Sequence, residues 1–432
     1  MPEQVHKVAD VFGINRDFPL NYVERPGIDD KLIENLTRDH HVVIFGSSKQ
    51  GKTCLRKHCL TDDDYVVVSC QSHMDLRQLH AAILKCAGYQ IEESNTRSSD
   101  GSHKLSAKFG GELTVPLIGK ARLDLGGDKE SQSSNEQTFK KLELDAQDPN
   151  DIIAALAEIA FSKFIVLEDF HYLPYETQQD FSYALKAFHE NSKITFIVVA
   201  VWREENRLIL FNGDLTGRMI AIDADAWRPA ELLRVISAGE ALLNVSFSDK
   251  FKSEVIADSF QNVYLVQEAC HRACRSVGVY QTQDTLKTIV DERGAGEIIS
   301  EIVSEQSGRY KAFLSNFGLG FQETELEMFK WILYPVLSCD VQDLIAGLRY
   351  REIRETIQSA HPRGEKLNAG NITQSLQSIS NLQSKKNIKP FVLDYDNTNL
   401  LLSVVDKGFL IWISKQERSE LLDLIGLPPA ED

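Results

Sequence analysis

The stretch His41-Val42-Val43-Ile44-Phe45-Gly46-Ser47-Ser48-Lys49-Gln50-Gly51-Lys52-Thr53 decides the fold of this chain. Its first five residues are mostly apolar and read as a buried strand, and the next eight spell G-x-x-x-x-G-K-[ST]. A strand that feeds a glycine loop and then a helix is a phosphate-binding loop. Gly46 and Gly51 allow positive φ, so the backbone N–H groups can close on phosphate oxygens at the positive end of the helix beginning near Lys52. Lys52 is expected to reach the β- and γ-phosphates of ATP, and the Thr53 hydroxyl to take one position on Mg²⁺. Ser48, Lys49, Gln50 and Cys54 complete the expected cradle.

Outward from this loop, apolar runs alternate with helical patterns. Tyr65 to Val68, Phe164 to Leu167, Ile194 to Val201 and Met219 to Ile222 read as four further strands. Helices are expected at Lys52 to Cys59, Asp75 to Gly88, Asp151 to Ala160 and Gln178 to Glu190. Near-continuous apolar strands separated by helices predict an α/β fold, with a parallel sheet covered on both faces. The nucleotide-binding domain is expected over residues 41–228. Residues 1–40 precede it as a segment able to fold over an adenine, with Tyr22 and Val23 packing on the base or stapling the next helix.

Hydrolysis requires a Mg²⁺ anchor and a carboxylate that orients water, both at the C-terminal edge of the sheet. Glu168-Asp169 closes the third strand there. Glu168 is assigned to the metal, directly or through water, and Asp169 to the attacking water, with the exchanged roles as the alternative. Arg203 ends the fourth strand and is expected to project toward the same edge, where a cation reads the γ-phosphate. Arg218 lies in the turn-rich Asn212-Gly213-Asp214-Leu215-Thr216-Gly217-Arg218, suited to an arginine finger acting on a neighbouring subunit's ATP. An ordinary ion-pair role is the alternative for both arginines.

Residues 91–147 shift to Ser, Gly, Lys and Asp and read as a β-hairpin insertion. Its strands are expected at Lys104 to Phe109, Glu112 to Leu117 and Lys120 to Leu125, followed by a polar stretch at Asp128 to Gln137. Residues 229–307 read as a wholly helical lid with linker helices. Residues 308–432 read as three helices, at Glu323 to Leu337, Leu348 to Ser359 and Asn371 to Lys385, followed by a two-stranded ribbon. That is the plan of a winged helix.

The 432 residues carry a formal charge of −16, against a general nucleic-acid coat. Between Arg349 and Lys389, however, eight cations face three acids, a local excess of +5. Gln374 and neighbouring Asn and Gln residues could read base edges of double-stranded DNA, with Lys385, Lys386 and Lys389 on its phosphates. Docking on protein, or within the chain, is the competing use of this unit. Seven cysteines without C-x-x-C spacing make neither a disulfide framework nor a zinc site. Cys270 and Cys274 read as the buried face of a helix. The absence of a roughly 20-residue apolar run predicts no membrane span and a cytoplasmic protein.

With these residues in hand, the chain resembles P-loop ATPases of the AAA+ and STAND groups, particularly the origin-recognition-like bacterial ATP-binding proteins that end in a winged helix. The carrying residues are the Tyr22 to Leu36 box, the Gly46 to Thr53 loop, Ile165 to Asp169, Arg203 and Gly217-Arg218. The resemblance implies a slow ATPase that works as a molecular switch: ATP binds, lid and sheet close, subunits associate as a homo-oligomer through the nucleotide interface, and hydrolysis resets the state. It also implies antiphage defence or signalling through an effector, here on a separate chain because no nuclease, protease or TIR-like motif is visible. An ATPase regulating transposition or replication initiation on DNA is the other implied role. The sequence departs from the family at Ser259 to Leu265, which has neither a sensor arginine nor Gly-x-Pro, and in the order Glu168-Asp169.

Overall fold

The structure is a computed structural model that describes residues 4–13, 18–97, 103–110, 139–225 and 227–430. The phosphate-loop strand β1 (His41–Phe45) is followed by β2 (Tyr65–Ser69), then by the inserted strands β3 (Gln90–Arg97), β4 (His103–Gly110) and β5 (Phe139–Asp145). Strands β6 (Phe164–Glu168), β7 (Phe196–Val199) and β8 (Met219–Asp223) resume the main sheet. Its order is β2-β6-β7-β1-β8, parallel throughout.

Alternation explains why these strands are apolar without a break. Successive side chains point to opposite faces of a sheet. Val43, Phe45, Ile165, Leu167, Phe196 and Val198 enter one core, facing the helices Leu76–Cys86, Pro149–Glu158 and Tyr175–Asn191. Val42, Ile44, Val166, Ile197 and Val199 enter a second, under Leu32, Leu36 and Leu55 of the helices Pro26–Leu36 and Lys52–Cys59. Each fully buried Leu, Ile or Phe contributes roughly 2 kcal/mol. Local signals agree with this packing: Asp75 accepts the Gln78 N–H at 2.9 Å while Gln78 Oε1 accepts the Asp75 N–H at 3.0 Å, so a capping box opens the helix Leu76–Cys86.

In the insertion, β4 pairs antiparallel with both β3 and β5, and Leu105, Ala107 and Leu144 are buried in the first core. The strand expected at Lys104 to Phe109 is present within β4. Those at Glu112 to Leu117 and Lys120 to Leu125, and the polar stretch Asp128 to Gln137, lie outside the described residues.

The lid departs from the expected all-helical pattern. Between its helices Pro229–Leu243, Asp249–Asp258, Val263–Ser276 and Ala295–Ser304, strands β9 (Val245–Phe247) and β10 (Lys287–Ile289) form a parallel pair. Val245, Phe247 and Ile289 turn inward, a β-rich triplet too short to register as a strand by periodicity. Phe12 from the N-terminal segment packs on the same helices: a Cβ on Gly239 would sit 2.1 Å from its ring, so only glycine fits there. Cys270 and Cys274 are fully buried in this core.

Beyond the lid come helices Ser307–Gly318, Met328–Ser338 and Val341–Ala346, strand β11 (Leu348–Arg349), and helix Tyr350–Ala360. Helices Ala369–Gln377 and Ile379–Lys385, strands β12 (Leu393–Asp396) and β13 (Leu401–Val404), and helices Lys407–Ser414 and Arg418–Leu424 follow. The expected helices and ribbon are present, with the helices Ser307–Gly318, Val341–Ala346, Lys407–Ser414 and Arg418–Leu424 added around them and two further differences. β11 adds a third strand beside β13. The expected helix Asn371 to Lys385 breaks at Ser378, whose hydroxyl turns back onto the Gln374 carbonyl at 2.8 Å. One continuous core runs from Val8 through the lid to Leu427, so the expected boundary near residue 308 divides no core. Among the described residues, no helix is long and apolar enough to cross a membrane.

The C-terminal unit docks on the edge of the main sheet. The buried Arg207 donates to Glu204 at 3.0 Å and to Asp394 of β12 at 2.6 Å, and Asp394 also accepts the Arg203 N–H at 3.0 Å. Phe391, Val201 and Val405 close an apolar seam beside them. Truncating one partner strands a buried charge, so Asp394→Ala is expected to cost about 3 kcal/mol in urea unfolding, with most of it recovered when Arg207→Met is added.

Two histidines tie the sheet to its helices as neutral rings. His41 Nδ1 accepts the Phe196 N–H at 3.1 Å, which leaves Nε2 to donate to the Leu185 carbonyl at 3.0 Å. His80 Nδ1 donates to the Ala146 carbonyl at 2.8 Å. Burial pulls both pKa values down to about 4. The unfolded chain therefore binds more protons between about pH 6.5 and 4, and their stabilisation, intact above that window, is lost as pH falls through it, by up to about 1.4 kcal/mol per pH unit for each ring. Urea unfolding across this range is expected to show the slope, and His80→Gln to reduce it.

Candidate functional site

The loop after β1, the acids after β6 and the start of the lid helix Val263–Ser276 converge at the C-terminal end of the parallel sheet, where such sheets form their crevice. Gly46, Lys49 and Gly51 take φ of +134°, +62° and +82°, which curls the loop around its own helix terminus. Lys52 is buried, and its ammonium donates to the carbonyls of Gly46 at 3.0 Å and Ser47 at 2.6 Å. Burial lowers its pKa to about 8, opposed by the charges of Asp225, Glu168 and Asp169.

A cavity of about 370 Å³ faces this loop. Residues 48–54 line it, with Glu168 and Asp169 from β6, Tyr22 and Val23 from the N-terminal segment, Trp227, and Val263, Tyr264 and Gln267 from the lid. The predicted loop, acid pair and base-packing segment are thus brought together around one space. Tyr22 donates its hydroxyl to Asp29 at 2.6 Å and stacks on His58 at 4.5 Å, while Asn21 bonds Gln267 at 2.8 Å and so ties the segment to the lid.

These residues fit a nucleotide phosphate chain. Among the described residues, the N–H groups of Lys49, Gln50 and Gly51 have no acceptor. The Gln50 side chain is buried with neither amide atom partnered. Thr53 is exposed to the same cavity. No described cluster of three or more His, Cys, Asp or Glu forms a metal cage. A hydroxyl with one or two carboxylates, completed by water and phosphate oxygens, is the donor set suited to Mg²⁺.

The acids differ in their surroundings. Glu168 Oε1 accepts from the buried Arg56 at 3.1 Å, and burial, opposed by Arg56, raises its pKa. Asp169 sits at φ +59° with its carboxylate facing the cavity and no hydrogen bond among the described residues; burial raises its pKa, opposed first by Lys52. His171, next in line, is buried against Tyr172 and Phe391, with both ring nitrogens unpartnered.

Neither arginine reaches the cavity. Arg203 Nη1 pairs with Asp225 at 3.0 Å and lines a different cleft. The continuation of the strand as far as Val201 set that expectation, but β7 ends at Val199 and the chain then turns toward Asp394. Arg218 precedes β8, hence at the opposite edge of the sheet, and its guanidinium bonds Glu190 at 2.8 Å and the Asp214 carbonyl.

The basic C-terminal residues Lys385 and Lys389 stay exposed, each over an aromatic ring of the chain. The Lys389 ammonium lies 4.3 Å over Tyr172 and that of Lys385 5.3 Å over Phe321, while Gln374 is exposed and Lys386 half-buried. Gln383, expected on the polar reading face, is fully buried and holds β12 through the Val392 N–H at 2.8 Å and the Leu393 carbonyl at 2.7 Å.

Three contributors escaped the sequence reading. The Asp225 carboxylate accepts the Ser47 N–H at 2.8 Å and its hydroxyl at 2.5 Å. Trp227 Nε1 donates to the Gln50 carbonyl at 3.2 Å, and Tyr264 receives the Lys49 ammonium over its ring at 3.9 Å. The available signal was position: Asp223 and Asp225 close the last strand much as Glu168 and Asp169 close β6.

No known family profile matches the sequence, and no curated protein matches it. Among solved structures, a Walker-type ATPase of Pyrococcus abyssi aligns over 93% of this chain and 99% of its own, with a TM-score of 0.53 at 10% identity. The ORC1 protein of Aeropyrum pernix, solved in complex with DNA, aligns over 96% and 97% with a TM-score of 0.43 at 10% identity. A STAND protein with a tetratricopeptide repeat sensor from Pyrococcus horikoshii aligns over 94% of this chain and 44% of its own, with a TM-score of 0.36 at 11% identity. From the loop at Gly46 to Thr53, the parallel sheet that carries it and the first of these alignments, the chain has the fold of the Walker-type P-loop ATPases.

Proposed function

We propose that this chain binds ATP with Mg²⁺ and hydrolyses it slowly, as a switch whose state is read by its C-terminal unit. The convergence of the phosphate loop, Lys52, Thr53, Glu168, Asp169 and the Tyr22-Val23 segment on one cavity carries the reading. The triphosphate lies along the loop N–H groups, Lys52 faces the β- and γ-phosphates, and the base packs between Tyr22, Val23 and Val263. Mg²⁺ supplies charge neutralisation at the phosphate oxygens. Thr53 holds it, with the Glu168 oxygen left over from Arg56 as the second protein donor. Asp169, unpaired and facing the cavity, orients the attacking water.

The switch reading rests on one contact. The Ser48 N–H, which the triphosphate would claim, donates to the Val405 carbonyl at 3.2 Å in the C-terminal unit. Nucleotide and C-terminal unit therefore compete for the loop, and Tyr264 on Lys49 gives the lid a contact in place of a sensor arginine. With the Gln383 amide spent inside the chain and the exposed Lys385 and Lys389 each resting over an aromatic ring of the chain, docking is the use of the C-terminal unit that these contacts support, ahead of DNA reading.

Only the protonated Lys52 attracts phosphate, so the ATP dissociation constant is expected to be flat below about pH 8 and to rise up to about tenfold per pH unit above it. Calorimetric titration of the whole chain at several pH values measures this; Lys52→Ala should weaken binding overall and abolish the slope. Equal ATP affinity in the wild type and Lys52→Ala would sink the reading. Asp169→Asn is expected to reduce phosphate release about 100-fold or more while retaining ATP, as followed by a coupled phosphate assay.

A further inference from the structure

Asp225, which holds Ser47 of the phosphate loop, also lines a second cleft of about 1010 Å³. No residue lines both this cleft and the nucleotide cavity. Its walls come from the lid helices Pro229–Leu243 and Asp249–Asp258, the helix Val341–Ala346 and the start of the helix Lys407–Ser414.

Two features distinguish it from an ordinary interdomain gap. The first is apolar surface in its lining: Leu233 and Ile345, from different wall helices, are left 42% and 40% exposed, and Ile256 and Leu410 share the lining. The second is charge. Arg203 is paired with Asp225 at 3.0 Å and Lys252 with Glu240 at 3.0 Å, but the half-buried Lys407 has no hydrogen bond or ion pair among the described residues. Its burial lowers its pKa, opposed by the charges of Asp225 and Asp223, while Arg203 adds repulsion. A partly desolvated cation with no carboxylate in direct contact is costly, and an anion seated against it lowers that cost.

We propose that this cleft binds a small amphiphilic carboxylate, its headgroup paired with Lys407 and Arg203 and its apolar body against Leu233, Ile256, Ile345 and Leu410. The volume and the mix of an apolar wall with a few converging polar groups are those of small-molecule sites. Asp225 and Asp249, which share the lining, select for a single negative charge and against a polyphosphate. This site stands whether or not the neighbouring cavity takes ATP.

The test uses the full chain, with decanoate as the probe and decan-1-ol as its neutral counterpart, followed by saturation-transfer NMR. Decanoate is expected to bind about tenfold or more tightly than the alcohol. Lys407→Met should erase that preference while leaving alcohol binding unchanged, and Leu233→Asp should weaken both probes. Circular dichroism and thermal unfolding establish that each variant is folded, and Lys407→Gln replaces a methionine variant that is not. Equal binding of acid and alcohol to the wild type, an undiminished preference in the Lys407 variants, or no decanoate binding at all overturns the proposal.

Discussion

A buried ammonium organises the nucleotide end of this molecule. Lys52 has left water, so its charge needs acceptors, and the Gly46 and Ser47 carbonyls supply them. Those carbonyls can face inward only if the loop curls through positive φ at Gly46, Lys49 and Gly51. Asp225 then fixes the outer side of the curl through Ser47, so closely that a Cβ on Gly46 would lie 2.9 Å from its carboxylate oxygen. Glu168 and Asp169 complete the charge around the lysine, and Arg56 balances Glu168 in turn.

The same economy of charge joins the C-terminal unit to the sheet. Asp394 neutralises the buried Arg207 and also receives the Arg203 N–H, so the segment after β7 is shaped by β12 rather than by the phosphate chain. Lid and C-terminal unit share one core, and the Val405 carbonyl on Ser48 puts that body in contact with the phosphate loop. An interface held by a few buried polar contacts and a small apolar seam is more polar than the continuous core that joins lid and C-terminal unit.

Local chemistry made much of this legible in advance. The central strands β6, β7 and β1 are apolar because both faces are covered, and the glycine-lysine loop and the acid pair follow from where such strands end. The parallel pair β9–β10 was not legible: three residues per strand give no periodicity to read. Gln383 read as a surface residue because its neighbours are polar, yet its amide is what β12 needs inside the fold. Arg203 read as a phosphate ligand because the apolar run extended to Val201, which hid the turn that begins after Val199.

By itself, then, the sequence determined what depends on neighbours along the chain: the curl of the loop, the strand and helix periods, the caps, and the kinds of charge available at the sheet edge. Tertiary structure alone decided which charges meet. Asp225 on Ser47, Arg203 on Asp225, Arg207 on Asp394 and Tyr264 on Lys49 join residues about 20 to more than 200 positions apart, and no local pattern encodes such pairings. They are fixed by the cost of leaving a buried charge without a partner, which is evaluated only once the chain has folded.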